Sequence, residues 1–297
     1  MPITAQFEYE KVKTWQEALS LKSAKGSSSK ILAGGTDLIV LLRENVLSPD
    51  LLIDIKGIPG VNDISLKKSL LTIGANVTFS DIIKSSLVKK NLPALWEAAH
   101  TVASVGVRNR ATVAGNICSA VPCADSAGPI LVYEAEINLL SQKESRKVPA
   151  EKWFTGPKKT AIEHGEILHS IEFKIPKSKT SASYLKLSRY EGEDLAQASF
   201  TVTLDSEKNY KIAFGSLAPT PRRAYKTESY LKGKKINEET LKQACKIIET
   251  EISPISDIRA SKDYRLHMAK VMLARALEKV VSRYYKGLPH YGEGLIE

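Results

Sequence analysis

The sequence predicts an α+β protein in two unlike parts: a region of short mixed strands and helices, then a β-meander backed by helices. Three observations lead there. Compact apolar runs and short helical patterns alternate as far as Pro176. Beyond KIPKSKTSAS (174–183) the texture changes to alternating strands at 183–189, 196–205 and 210–217, the last two joined by a turn over Ser206 to Asn209. Two long helical patterns, around 238–251 and 263–286, then complete an α+β module. A chain of 297 residues is long for one compact core, so two or three subdomains are expected, with the main boundary near 176–182.

The elements of the first part follow from local signals. Trp15 to Leu21 reads as a short helix, and KSAKGSSSK after it as a polar, flexible stretch. Ile31 and Leu32 make a brief strand that runs into Ala33-Gly34-Gly35-Thr36-Asp37-Leu38. Thr36 or Asp37 can cap a helix over Leu38 to Glu44, whose apolar residues leave little exposed face. LLIDI (51–55) is a buried strand bounded by Gly57, Pro59 and Gly60. Asp63 to Gly74 reads as a hairpin turning at Lys67-Lys68-Ser69. Thr78 to Asp81 resembles a capping box opening a helix through Ser85. Pro93 begins a further helix, which delivers the chain to Gly106 and a second glycine-bearing loop, Thr112-Val113-Ala114-Gly115-Asn116. Asp125 to Val132 reads as a short helix, with strands at Ala135 to Leu140 and Glu166 to Ile175.

Composition narrows the function classes. No apolar run approaches the roughly 18 to 20 residues of a bilayer span, and MPITAQFEYEKVKTW lacks the features of a signal peptide, so a cytoplasmic protein is expected. Three cysteines without a CxxC pair or nearby histidine cluster argue against a metal site, and the five histidines are isolated. The net charge of +10 invites a nucleic-acid reading. The lysines, however, are scattered among acidic residues, and no aromatic-basic RNA motif, zinc finger or KH loop occurs.

The two loops carry the chemistry. A strand, a glycine turn and a helix start leave backbone amides free for an anion, each worth roughly 1.5–3 kcal/mol against a charged oxygen. Neither GxxxxGK[ST] nor GxGxxG is present, which disfavours ATP hydrolysis and a Rossmann dinucleotide site. Taken alone, AGGTDL fits a structural turn as well as an anion site. The second loop adds Thr112, Asn116, Ser119 and Asp125 at close intervals, in a span unusually rich in small residues for an inert connection. Its bland reading is a surface loop closed by its own Asx and Ser turns.

AGGTDL followed by TVAGNICSAVPCAD strongly resembles the FAD-binding medium subunit of molybdenum hydroxylases, the xanthine dehydrogenase and carbon monoxide dehydrogenase family. The similarity extends in order through WFTGPKKT and EILHSIEF (153–173), YLKLSRYEGEDLA (184–196) and DIRASKDYR (257–265). It implies a two-lobed FAD-binding domain of the vanillyl-alcohol-oxidase (PCMH) type over 1–177, with lobes at about 1–56 and 57–177. A C-terminal α+β domain over 178–288 and a tail at 289–297 would follow.

The resemblance also implies site roles. Leu32, Ala33, Gly34, Gly35, Thr36, Asp37 and Leu38 would hold the FAD pyrophosphate. Thr112, Ala114, Gly115, Asn116 and Ser119 would form the second phosphate-binding loop and approach the flavin, with Asp125 near the ribose or adenine. Ile167 and Leu168 would pack on the adenine side, Lys186 would sit at the flavin's polar edge and Leu195 would cover a ring face. From the pattern alone, Leu195 reads as core and Lys186 as equally a solvated strand lysine.

Three departures stand out. Ala114 replaces a frequent second glycine, Cys118 and Cys123 occupy positions where small or apolar residues are common, and the cysteine-rich insertion of some relatives is missing, so no cluster is expected here. Arg259, Tyr264 and Arg265 in DIRASKDYR tempt a catalytic assignment, but the likeness makes them a structural and interface element. The resemblance implies an electron-transfer subunit that receives electrons from [2Fe-2S] centres of a small partner and passes them through FAD, most naturally to NAD⁺. The molybdopterin cofactor would belong to a larger partner. The rival readings are a free-standing FAD-dependent oxidoreductase and, more remotely, a basic RNA-binding or interaction protein.

Overall fold

The computed structural model describes residues 3–4, 6–190 and 193–294. Glu191 and Gly192 of the YEGEDLA motif and the last three residues of the predicted tail lie outside the described residues.

The first lobe is a small parallel βαβαβ unit. It comprises β1 (Glu8–Lys11), α1 (Trp15–Lys25), β2 (Ser29–Leu32), α2 (Leu38–Arg43) and β3 (Leu51–Asp54). The strand order is β1-β3-β2, with β3 central and wholly buried, as the uninterrupted apolar run LLI requires. Polar KSAKGSSSK is not a flexible linker: it completes α1, makes one 3₁₀ turn at Gly26–Ser28 and starts β2. The Lys22 ammonium organises that turn by donating to the Gly26 and Ser29 carbonyls. α2 also departs from expectation, since only Leu42 of its apolar residues is buried and Val40 is 45% exposed.

The second lobe begins with the hairpin β4 (Ile64–Lys67) and β5 (Leu70–Gly74), turning through Lys68 at φ 58°. Helices α3 (Phe79–Lys84), α4 (Ser86–Asn91), α5 (Pro93–His100), α6 (Val105–Arg108), α7 (Val113–Ser119) and α8 (Ala127–Val132) follow. The Thr78–Asp81 capping box forms in full, which fixes the start of α3. β6 (Glu136–Leu140), β7 (Ser145–Pro149), the small pair β8 (Phe154–Gly156) and β9 (Lys159–Thr160), and β10 (Ile167–Lys174) complete the lobe. β10 is the middle strand of the antiparallel sheet β4-β5-β10-β6-β7.

The C-terminal part is the antiparallel meander β11 (Thr180–Leu187), β12 (Ala198–Asp205), β13 (Tyr210–Gly215) and β14 (Arg222–Arg223). α9 (Tyr225–Leu231), α10 (Glu238–Ile248) and the long α11 (Lys262–Lys286) pack against it. The turn after β12 is closed by Asp205, whose carboxylate accepts from the Glu207 and Asn209 amides. Within DIRASKDYR, Arg265 and Asp257 have a structural role. Arg265 is buried, donating to the Gln197 and Ser216 carbonyls and pairing with Asp257 at 2.8 Å, which ties α11 to the loop before it.

A buried ion pair joins the two parts. Glu97 on α5 takes both terminal nitrogens of Arg283 on α11, at 2.7 and 3.0 Å, and also accepts from the Tyr184 and Gly292 amides. With neither side chain reaching solvent, the pair orients α11 and β11 against the second lobe, and the functional cleft lies along that seam.

Candidate functional site

The parallel register of β2 and β3 sends both strands out at the same edge of the first lobe, where open α/β sheets place their ligand loops. The loop after β2 is Ala33 to Asp37. A Cβ on Gly34 would lie 1.9 Å from the Arg110 carbonyl oxygen, and Gly35 adopts φ +81°. Both positions therefore demand glycine, one for close approach and the other for backbone conformation. Arg110 stands two residues before Thr112, so this contact brings the two glycine-bearing segments together. A second link is the hydrogen bond from Ser119 Oγ to Asp37 Oδ2 at 2.5 Å.

The second segment is not a loop. Thr112 caps α7 by accepting from the Gly115 amide at 2.9 Å, and Val113, Ala114 and Ile117 turn inward. Small residues and a central glycine disguised this helix, while the i, i+4 pair Val113 and Ile117 was its legible signal. Ala114 is accommodated there without left-handed backbone. Asn116 Oδ1 accepts from Ser126 Oγ at 2.6 Å, fixing the chain between α7 and α8. The expected cap of α2 is also different: Asp37 occupies the N-cap position but turns its carboxylate to Ser119.

Between these segments and the meander lies a cleft of about 560 Å³. Ala33 to Leu38 line one wall, and Thr112, Gly115, Asn116, Cys118, Ser119 and Cys123 line the other. Asp125, Lys186, Asp194 and Leu195 line the side toward the meander. The amides of Gly34, Gly35, Thr36 and Asp37 find no acceptor among the described residues. Burial pushes the Cys118 thiol up to about 12, so it stays protonated and acts as an apolar wall rather than a nucleophile or metal ligand. Among the described residues no group of three or more histidine, cysteine or carboxylate side chains is placed to hold a metal ion.

Lys186 is 1% exposed, not a solvated strand lysine. Its ammonium donates to the Thr101 carbonyl at 2.8 Å and meets Asp125 Oδ2 at 3.0 Å, while Tyr184 donates to Asp125 Oδ1 at 2.6 Å. Burial pushes the Asp125 carboxyl up, opposed by the Lys186 charge and the Tyr184 hydroxyl. Both Asp125 oxygens are thus engaged within the protein. Asp125 therefore holds Lys186 while still lining the cleft, with lone pairs left over on both oxygens. Leu195 is 45% exposed in the cleft lining, so the core reading of the pattern does not hold for it. Asp194 fixes it by accepting from the Leu195 amide and from Arg189, whose guanidinium holds the Asp194 carboxyl down at about 2.

Four of the expected contact residues are not part of the cleft lining. Ile167 and Leu168 sit buried in the second-lobe core on the central strand β10, and neither lines the cleft. The alternation that marked β10 as a strand also turns them into that core. Leu32 and Ala114 lie next to lining residues without joining them. Tyr184 was missed by residue-level reading, although it stood in the recognised YLKLSRY segment.

The residues present suit FAD: unpartnered amides and close-approach glycines for a pyrophosphate, with an elongated, partly apolar cleft for the rings. Fold and site together define a protein that holds a dinucleotide cofactor between two α+β lobes and a β-meander domain. The family described as FAD binding domain in molybdopterin dehydrogenase matches residues 5–178, and the one described as CO dehydrogenase flavoprotein C-terminal domain matches 183–280. The chain is 32% identical over 280 residues to the xanthine dehydrogenase FAD-binding subunit of Escherichia coli O157:H7, covering 92% of this chain and 96% of that protein. It is 34% identical over 287 residues to the carbon monoxide dehydrogenase medium chain of Hydrogenophaga pseudoflava, covering 95% and 99%. A solved structure of carbon monoxide dehydrogenase from Hydrogenophaga pseudoflava, lacking the Mo-pyranopterin moiety of the molybdenum cofactor, matches with a TM-score of 0.91 at 33% identity, covering 96% of this chain and 100% of that one. The chain belongs to the FAD-binding medium subunits of the molybdenum hydroxylase family, and it is an oxidoreductase subunit whose cofactor is FAD. No helix among the described residues is long and apolar enough to cross a membrane.

Proposed function

We propose that this chain is the electron-transfer subunit of a cytoplasmic molybdenum hydroxylase complex. In this reading it takes electrons from [2Fe-2S] centres of a small partner and passes them through FAD to NAD⁺, while hydroxylation proceeds on a molybdopterin-binding large partner. The observation that carries the reading is the state of the three aspartates that line the cleft. Asp37 is held by Ser119, Asp125 by Tyr184 and Lys186, and Asp194 by Arg189. Acids committed in this way serve to shape a cofactor site rather than to move protons on a substrate.

FAD, when bound, supplies the exchange between one-electron and two-electron carriers. The chain's residues bind and orient it. The amides of Gly34 to Asp37 offer donors to the pyrophosphate, and Gly34 and Gly35 permit the close approach. Lys186, held by Asp125 and Thr101, sets a buried positive charge in the cleft wall, where excess electron density on a flavin is stabilised. Leu195, fixed by Asp194 and Arg189, covers a ring face and limits water.

Anaerobic mixing with NADH tests both halves of the proposal. NADH is expected to bleach the oxidised flavin band of the isolated FAD-loaded chain. In the complex assembled with its partners, the iron–sulfur signals should follow. A flavin untouched by NADH excludes NAD⁺ as acceptor, and clusters that stay oxidised beside a reduced flavin refute the relay.

A further inference from the structure

Support for the pyrophosphate loop comes from a strand that does not itself line the cleft. Leu32, the last residue of β2, pairs in parallel register with Asp54, the last residue of β3. The chain segments leaving the two strands therefore run side by side, one into Ala33 and the other into a single 3₁₀ turn, Ile55–Gly57. Asp54 caps that turn by accepting from the Lys56 amide at 2.9 Å. The Lys56 ammonium lies 2.7 Å from Asp54 Oδ1 and donates to the Ala33 carbonyl at 3.2 Å. Tyr9 closes the set by donating to Asp54 Oδ2 at 2.5 Å. Burial would lift the Asp54 carboxyl, but Lys56 and Tyr9 more than offset it and leave it below the usual carboxylate range.

Peptide planarity turns this cluster into a device. The C=O and N–H of one trans peptide unit point in opposite directions. With the Ala33 oxygen drawn toward Lys56, the Gly34 N–H faces the other way, where no described residue accepts from it. Lys56 is not among the residues lining the cleft, so its effect reaches the ligand through the loop.

We propose that Lys56 is a positioning residue for FAD: anchored by Asp54 and Tyr9, it clamps the Ala33 carbonyl and presets the Gly34 N–H for the cofactor's pyrophosphate. This rests on the reading of residues 33–38 as the pyrophosphate loop. The test uses the full chain, stripped of flavin and titrated with FAD. It follows affinity by flavin fluorescence, the bound pyrophosphate by ³¹P NMR, and the unfolding of the apoprotein. Lys56→Met is expected to bind FAD roughly tenfold more weakly and to shift the bound ³¹P resonances, while its apoprotein, less stable for the loss of the Asp54 counter-charge, still unfolds cooperatively. Lys56→Arg should keep most of the affinity. Asp54→Asn makes the chain more positive yet should also weaken FAD, because Lys56 loses its anchor. Lys56→Met with wild-type affinity overturns the clamp, and so does an Asp54→Asn chain that binds FAD more tightly, since simple charge attraction would then be at work. If Lys56→Met does not fold, Lys56→Arg retaining the affinity that Asp54→Asn loses decides the matter. Wild-type ³¹P resonances unchanged from free FAD would overturn the loop assignment, and the clamp with it.

Discussion

Gly34→Ala is expected to cost the chain its flavin. The added methyl would stand 1.9 Å from the Arg110 carbonyl oxygen, and that atom is backbone, so no side chain can swing aside to relieve the contact. The loop must instead retreat from the segment leading into Thr112, carrying the Gly34 and Gly35 amides with it. Two displaced amide bonds to charged oxygen, at about 1.5 kcal/mol each, correspond to roughly a hundredfold loss of FAD affinity. Repacking against a fixed carbonyl should also lower stability by about 1–3 kcal/mol. Fluorescence titration of the apoprotein measures the first effect and urea unfolding the second. Wild-type affinity in the variant would contradict the close approach of the two segments.

The second large effect lies away from the cleft. Glu97→Ala removes the partner of a guanidinium that has no exposed face, since Arg283 and Glu97 are both buried at the junction of α5, β11 and α11. Arg283 would keep its bonds to the Ala182, Pro289 and His290 carbonyls but lose its counter-charge. The Tyr184 and Gly292 amides would lose their acceptor. Breaking a buried pair in this way costs about 3–5 kcal/mol, against less than about 1 for an exposed one. Tyr184 also carries Asp125, so the damage should spread to Lys186 and loosen the side of the cleft toward the meander. Denaturant unfolding of the apoprotein is the measurement, and a loss below about 1 kcal/mol would show that the junction does not depend on the pair.

The legible parts of the sequence were those governed by local chemistry. The meander announced itself by alternation, α3 by its capping box, and the loop after β2 by glycines whose need the structure explains atom by atom. The second glycine-bearing segment was located, but its helical form was hidden because small residues supply little periodic signal. What could not be read locally was pairing over long separations: Glu97 with Arg283, Asp125 with Lys186, and Lys56 with Ala33. Each depends on how separate sheets are set against one another. Ile167 and Leu168 illustrate the reverse case, where a motif was placed correctly on a strand while its side chains face the second-lobe core.

The most direct test of the account is a structure of the chain with FAD bound. The cleft between the glycine-bearing segments competes for it with a second cavity of about 750 Å³ at the junction, lined by Glu134, Lys147, Glu172 and Lys211, and with a third of about 700 Å³ beside Glu151, Arg223 and Tyr225. The pyrophosphate is expected within hydrogen-bond distance of the Gly34 to Thr36 amides, with the isoalloxazine ring beside Lys186 and Leu195. A cofactor seated in either other cavity, or one whose phosphates lie away from Gly34 and Gly35, would contradict the account.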